Sequence, residues 1–142
     1  MVRTVYVNGE YLPETEGKVS IFDRGFLFAD GVYEVSAVIN GKLVDYEAHM
    51  ERLGRSLREL RMGWPCSREE LDRMHQEMIR RNTLKEGIIY MQVTRGAADR
   101  AFNFPKADVK PTLIAFTQEM SLAQNPNAVT GIKVITTPDL RW

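Results

Sequence analysis

Two Asn-Gly dipeptides in the first 41 residues, Asn8-Gly9 and Asn40-Gly41, constrain this chain more than any other feature. Asn-Gly suits the two-residue turn whose positive φ values match the twist of paired strands. The first turn joins a β-branched and aromatic run, Thr4 to Val7, to a return strand at Tyr11-Leu12 that Pro13 stops. The second joins Val32–Ile39 to Lys42-Leu43-Val44. Two hairpins this close predict an antiparallel sheet. Val32, Val35, Ala37, Val38 and Ile39 predict a strand buried on both faces in its middle.

After Asp45 the period changes. Met50, Leu53, Leu57 and Leu60 recur at helical spacing, with charged residues between them, and predict a helix ending near Arg61. Gly63, Trp64 and Pro65 break it. Ser67 followed by Glu70 reads as a capping box opening a second helix to about Asn82, with Leu71, Met74, Met78 and Ile79 on its buried face. Ile88 to Arg95 and Thr112 to Thr117 read as strands, with a polar loop from Gly96 to Pro105 between them. Lys18 to Phe22 reads as a short extended piece. The fold class is therefore α+β: an antiparallel sheet with two helices. Residues 1–120 form a small N-terminal domain, 121–130 an interdomain linker, and 131–142 the first strand of a truncated C-terminal domain, with Gly131 to Thr137 as that strand.

Charge and cysteine content limit the function classes. The 19 cations balance the 19 anions, which favours neither nucleic acid nor an anionic membrane as partner. No apolar run approaches the roughly 20 residues that span a bilayer. The start of the chain turns polar at Asn8-Gly9, unlike a signal peptide, and the single Cys66 excludes an internal disulfide. The chain is read as cytoplasmic. Cys66 precedes a helix start, where a thiol pKa can fall, but nothing pairs it as a nucleophile, so it is read as structural. His49 and His75 lack companions at metal-ligand spacing, and His49 reads as a packed or capping histidine. No phosphate-binding loop, dinucleotide fingerprint or nucleophile elbow is present.

What remains is a loop and three arginines. Asp23 to Glu34 is punctuated by Gly25 and Gly31 and feeds a strand with Tyr33 and Glu34 at its mouth. Such a loop either presents side chains to a ligand or merely starts the strand. Arg52, Arg95 and Arg100 stand at helix and loop edges, and arginine matches carboxylate and phosphate in a planar, two-pronged way. Small-anion recognition is the chemistry these residues support, against the simpler reading of solvated surface arginines.

The ordered set Asp23-Arg24-Gly25-Phe26-x-Phe28-x-Asp30-Gly31-Val32-Tyr33-Glu34, His49-x-x-Arg52-Leu53, Gln92-Val93-Thr94-Arg95-Gly96 and Phe104-Pro105 resembles the D-amino-acid aminotransferases. These are fold type IV pyridoxal-phosphate enzymes, related to branched-chain aminotransferases and aminodeoxychorismate lyase. The resemblance runs from the first strand to Trp142. It implies transamination between a D-amino acid, such as D-alanine or D-glutamate, and a 2-oxo acid, in a homodimer with its site between two domains. It implies that Arg52 grips the phosphate of pyridoxal 5'-phosphate. It implies that Tyr33 and Arg100 bind the substrate carboxylate, the Arg100 loop coming from the partner subunit, with Val35, Ala37 and Phe102 in the substrate pocket.

The chain departs from the pattern in three places. Phe102 stands where these enzymes commonly carry histidine, which leaves room for an altered substrate range. Ala29 stands where glycine is frequent, a minor change. The Schiff-base lysine of the family falls just past a segment like Pro138-Asp139-Leu140-Arg141-Trp142, and none of Lys18, Lys42, Lys85, Lys106, Lys110 or Lys133 matches it. The chain alone is therefore expected to be inactive. Two other readings stand beside this one: a same-fold lyase, branched-chain or (R)-amine transaminase, and a non-catalytic truncated α+β module.

Overall fold

A computed structural model describes residues 2–106, 108–124 and 127–139. Both Asn-Gly turns form as the sequence predicts. Asn8 and Gly9 take φ of 50° and 103°, Asn40 and Gly41 take 52° and 71°. The first closes β1 (Thr4–Val7) onto β2 (Glu10–Pro13), and the second closes β3 (Gly31–Ile39) onto β4 (Lys42–Leu43). With β5 (Glu86–Thr94) and β6 (Thr112–Glu119) they make one antiparallel sheet in the order β2-β1-β6-β5-β3-β4. The long β3–β5 pairing, from Gly31 opposite Thr94 to Ile39 opposite Glu86, sets the height at which Tyr33 and Glu34 stand.

Two long helices cover one face of this sheet. A short helix, α1 (Arg24–Phe28), precedes β3; the long ones are α2 (Tyr46–Glu59) and α3 (Arg68–Asn82). Met50, Leu53 and Leu57 of α2 and Leu71, Met74 and Met78 of α3 are buried against Val38, Ile89, Met91, Val93, Leu113 and Ala115. Each such side chain contributes about 1.5–3 kcal/mol by leaving water, before conformational entropy is set against it. The capping box of α3 is present: Ser67 Oγ accepts from Glu70 N at 3.1 Å, and Glu70 Oε2 accepts from Ser67 N at 2.8 Å. No helix among the described residues is long and apolar enough to cross a membrane.

Four expectations change. β3 is not buried on both faces: Glu34, Ser36 and Val38 lie under the helices, while Tyr33, Val35 and Ala37 share the other, partly open face. Helices pack on one side only, and a strand's alternation then divides its residues. The loop before β3 contains α1, because Asp23 caps it by accepting from Gly25 N at 2.8 Å. Lys18 to Phe22 forms no strand. Residues 131–139 form none either, and Ile132, Val134 and Ile135 are exposed. A strand needs a neighbour for its backbone groups, and none lies beside this segment among the described residues. The stretch expected as a linker holds a single helical turn, α4 (Asn127–Thr130). Leu140, Arg141 and Trp142 lie outside the described residues.

Candidate functional site

Successive residues of β3 point to opposite faces, so Tyr33 and Glu34 serve two surroundings. Tyr33 is 63% exposed on the open face. Its ring stacks on Tyr90 of β5, centroids 5.7 Å apart and planes at 14°, and Tyr90 stacks on Phe116 of β6 at 4.9 Å and 21°. This row of rings fixes the Tyr33 ring and leaves it solvent-accessible. Burial, with the neighbouring Tyr33, pushes the Tyr90 hydroxyl up, and Tyr90 donates to Gln92 Oε1 at 2.8 Å. Val35 and Ala37 follow Tyr33 on the same half-buried face, as the alternation requires.

Glu34 points the other way, its side chain only 2% exposed. Arg52 Nε donates to Oε1 at 2.8 Å and Arg52 Nη2 to Oε2 at 2.6 Å. His49 Nδ1 lies 2.8 Å from Oε2. His49 and Arg52 are three residues apart on α2 and therefore reach the same carboxylate from one helix face. His49 is thus a hydrogen-bond partner of Glu34 on β3, neither a cap nor simple packing. Burial by itself would raise the Glu34 carboxyl, but hydrogen bonds and charge from Arg52 and His49 outweigh it and hold the carboxyl below its ordinary range. Glu34 in return strengthens the Arg52 cation through its hydrogen bonds and charge. Glu34 engages two of the five guanidinium N–H groups. The Arg52 side chain is 53% exposed, so the others remain for an anion.

The second cluster is built around Asp30. Its Oδ2 accepts from Arg24 Nε and from Arg95 Nε, each at 2.8 Å. Arg95 also donates to the carbonyls of Leu60 at 2.9 Å and Arg61 at 3.4 Å, and its guanidinium lies 4.4 Å over the Phe104 ring. Arg95 is therefore a structural brace and leaves the set of anion-binding candidates. Arg24 Nη1 donates to Ala101 O at 2.9 Å and Asn103 O at 3.4 Å, which fastens the loop carrying Arg100 and Phe102. Both of those residues are exposed. Asp23 completes the brace by accepting from Thr94 Oγ1 at 3.0 Å.

The structure thus docks Arg52 on Glu34, sets Tyr33 one position earlier on the opposite face of β3, and gathers Arg100 and Phe102 around Phe28 and Arg24. A cavity of about 340 Å³ between the open sheet face and the 14–26 segment, lined by Val5, Phe26, Gln92 and Ile114, includes none of Tyr33, Arg52 or Arg100. These residues stand on an open surface. The pairings of Glu34 and Asp30 escaped the sequence reading, although both carboxylates stand in the ordered motif. Burial, with the charge of Glu70, pushes the Cys66 thiol up, against any lowering from the helix start. Among the described residues no cluster of three or more His, Cys, Asp or Glu is placed to hold a metal ion.

Known proteins resemble this chain along nearly its whole length. The chain is 37% identical over 138 residues to the D-alanine aminotransferase of Staphylococcus aureus strain MSSA476, covering 97% of this chain and 49% of that protein. It is 39% identical, with the same coverage, to the D-alanine aminotransferase of Staphylococcus epidermidis strain ATCC 12228. The chain spans about half the length of these relatives. Among solved structures, a T.th. branched-chain amino acid aminotransferase with pyridoxamine 5'-phosphate superposes with a TM-score of 0.80 at 22% identity, over 91% of this chain and 43% of that one. The branched-chain amino acid aminotransferase of Escherichia coli gives 0.77 at 20% identity, over 90% and 43%. At such identities these structures establish the fold alone. Residues 31–142 match the family Amino-transferase class IV. With that match and relatives this similar along nearly its whole length, the chain belongs to the class IV amino-transferases.

Proposed function

We propose that the full-length protein transfers an amino group between a D-amino acid, such as D-alanine or D-glutamate, and a 2-oxo acid, with pyridoxal 5'-phosphate as cofactor. The observation that carries this reading is the Arg52 guanidinium, oriented from α2 by Glu34 and still half exposed, with the accessible Tyr33 at the preceding position of β3. The D-alanine aminotransferases that align along 97% of the chain support the substrate class.

The residues present fit the phosphate end of this cofactor. An arginine held on one side by a carboxylate keeps N–H donors for phosphate oxygens, which it matches in charge and geometry. Bound there, the cofactor supplies an electron sink for charge developing at the substrate Cα. The part of this chain is to bind and orient. Arg52 holds the phosphate, Tyr33 donates to the substrate carboxylate from the stacked aromatic row, and Val35 and Ala37 line the space beside it. Arg100 supplies the second carboxylate contact. In this reading the protein is a homodimer, and the Arg100 loop serves the partner's site. Fixing a carboxylate at two points holds the Cα–H bond in one direction for deprotonation.

Full-length protein mixed with pyridoxal 5'-phosphate, D-alanine and 2-oxoglutarate should form pyruvate and D-glutamate. No amino transfer from either D-alanine or D-glutamate would exclude the reading. A second reading, a primary-amine transaminase or lyase of the same fold, is favoured by one observation: Phe102 exposes an apolar ring where a carboxylate-binding polar group would serve acidic substrates. Comparing turnover of D-amino acids, (R)-amines and aminodeoxychorismate separates the two.

A further inference from the structure

Arg100 is held by aromatic rings. Its guanidinium carbon lies 5.3 Å from the centroid of Phe28 and 5.1 Å from that of Phe102. The two rings are 6.1 Å apart and inclined at 60°, so together they form an angled slot. Phe28 is half-buried at the end of α1 and also takes the Arg24 guanidinium at 4.6 Å. Arg24 in turn is fixed by Asp30 and grips the backbone on either side of Phe102, at Ala101 and Asn103. Both walls of the slot are therefore anchored to one buried side chain. Among the described residues no carboxylate pairs with Arg100.

A guanidinium can be fixed by a carboxylate or by aromatic faces, with different consequences. A carboxylate neutralises the charge and occupies N–H donors that lie in the guanidinium plane. Aromatic faces attract the cation from outside that plane and leave the donor fork open. We infer that Phe28 is a positioning residue for carboxylate recognition: with Phe102 it clamps Arg100 so that its in-plane donors meet the carboxylate of an amino or 2-oxo acid. This rests on the reading above that Arg100 binds the substrate carboxylate. The clamp also gives Phe102 a purpose, since the ring that removes a polar donor from the loop supports the remaining one.

The test uses full-length holoenzyme, with steady-state kinetics for D-alanine and 2-oxoglutarate. Phe28→Leu is expected to raise KM about 5–10-fold with kcat changed by less than about twofold, because loosening a ground-state carboxylate contact acts on binding. Phe28→Tyr restores the face and should restore KM. Phe102→Leu alters only an exposed ring and should raise KM in the same direction, so a folding defect in the Phe28 variant does not decide the matter. In an Arg100→Ala background Phe28→Leu should add nothing. An unchanged KM in both leucine variants, or an undiminished effect without Arg100, overturns this role for Phe28. The Arg100 Nε–H resonance gives a readout independent of turnover: ring currents displace it in the wild type, and Phe28→Leu should return it toward the free-arginine position. A wild type with that displaced resonance and no turnover of D-amino acids would keep the clamp and remove the substrate reading. An undisplaced resonance removes the clamp.

Discussion

Arg52 docks on Glu34 through two hydrogen bonds, at 2.8 and 2.6 Å, on a carboxylate that the fold has almost entirely removed from water. A buried carboxylate is tolerated only with charged partners, so Glu34 fixes where α2 can sit on β3. It also gives the protein an acid-sensitive joint. The folded-state pKa is held below the ordinary 4.5, so the stabilisation is fully present above 4.5 and is lost as pH falls through the lower folded value. Denaturant melts at a series of acidic pH values should show this loss. Glu34→Gln should weaken the fold by about 2 kcal/mol near neutrality and flatten part of the acid limb. Asp30 is depressed in the same direction and adds to that limb, as do the carboxylates of Glu69, Glu77 and Glu86.

Removing the arginine itself separates two anion sites. Arg52→Ala in the full-length enzyme is expected to weaken pyridoxal-phosphate retention by roughly 10-fold or more, read by equilibrium dialysis. Arg100→Ala should leave retention intact and raise KM for acidic substrates. Equal KM effects with normal retention in both variants would show that Arg52 does not hold the phosphate.

Asp30 is a single acceptor for two arginines that reach α1, the end of α2 and the 101–103 loop. Burial would raise its carboxyl, but Arg95 and Arg24 outweigh burial and hold it low. Asp30→Asn leaves two nearly buried guanidiniums sharing one neutral partner. The expected loss is roughly 2–4 kcal/mol, measured by denaturant melts, with faster proteolysis between Ala97 and Pro105.

How far the sequence carried these features depends on whether the signal was local. The Asn-Gly turns, the α3 capping box and the alternation that puts Tyr33, Val35 and Ala37 on one face are set by neighbours within a few residues, and all were legible. Glu34 with Arg52, and Asp30 with Arg95, pair across 18 and 65 residues. Nothing local distinguishes those arginines from Arg100, and only the β3–β5 register shows that Arg95 is committed. Gly131 to Thr137 is strand-like in composition, but strand formation depends on a neighbour, and the segment pairs with none among the described residues.

His75 is buried on α3, donating from Nδ1 to Leu71 O at 2.8 Å, while its Nε2 and the Tyr46 hydroxyl have no partner among the described residues. The Tyr46 ring meets it edge-on at 5.0 Å, and burial pushes the Tyr46 hydroxyl up to about 12, so it remains protonated. Burial also lowers the His75 pKa from 6.5. The unfolded chain then takes up a proton below 6.5 while the folded one stays neutral. Stability should decline as pH falls from 6.5 and level off below the folded value. His75→Leu should abolish that part of the pH dependence in parallel melts, and an unaltered slope would assign it elsewhere.

Gly96 follows the arginine brace and sets the direction of the Arg100 loop. Its φ is 101°, a conformation that L side chains rarely adopt, and a Cβ there would lie 2.1 Å from the carbonyl oxygen of Lys110. The obstruction is backbone, so no rotamer change relieves it. Its own carbonyl accepts from Arg24 N at 2.9 Å, and its N–H donates to Thr94 Oγ1 at 3.1 Å. Any displacement of Gly96 therefore pulls on α1 and β5 together. Gly96→Ala is expected to destabilise by about 3 kcal/mol or more, well above the cost of an ordinary loop substitution. Ala97→Gly, one residue further along and exposed, should cost under about 1 kcal/mol. Comparable losses in the two variants, measured by thermal and denaturant melts, would mean that the loop accommodates a side chain at Gly96 by moving as a whole.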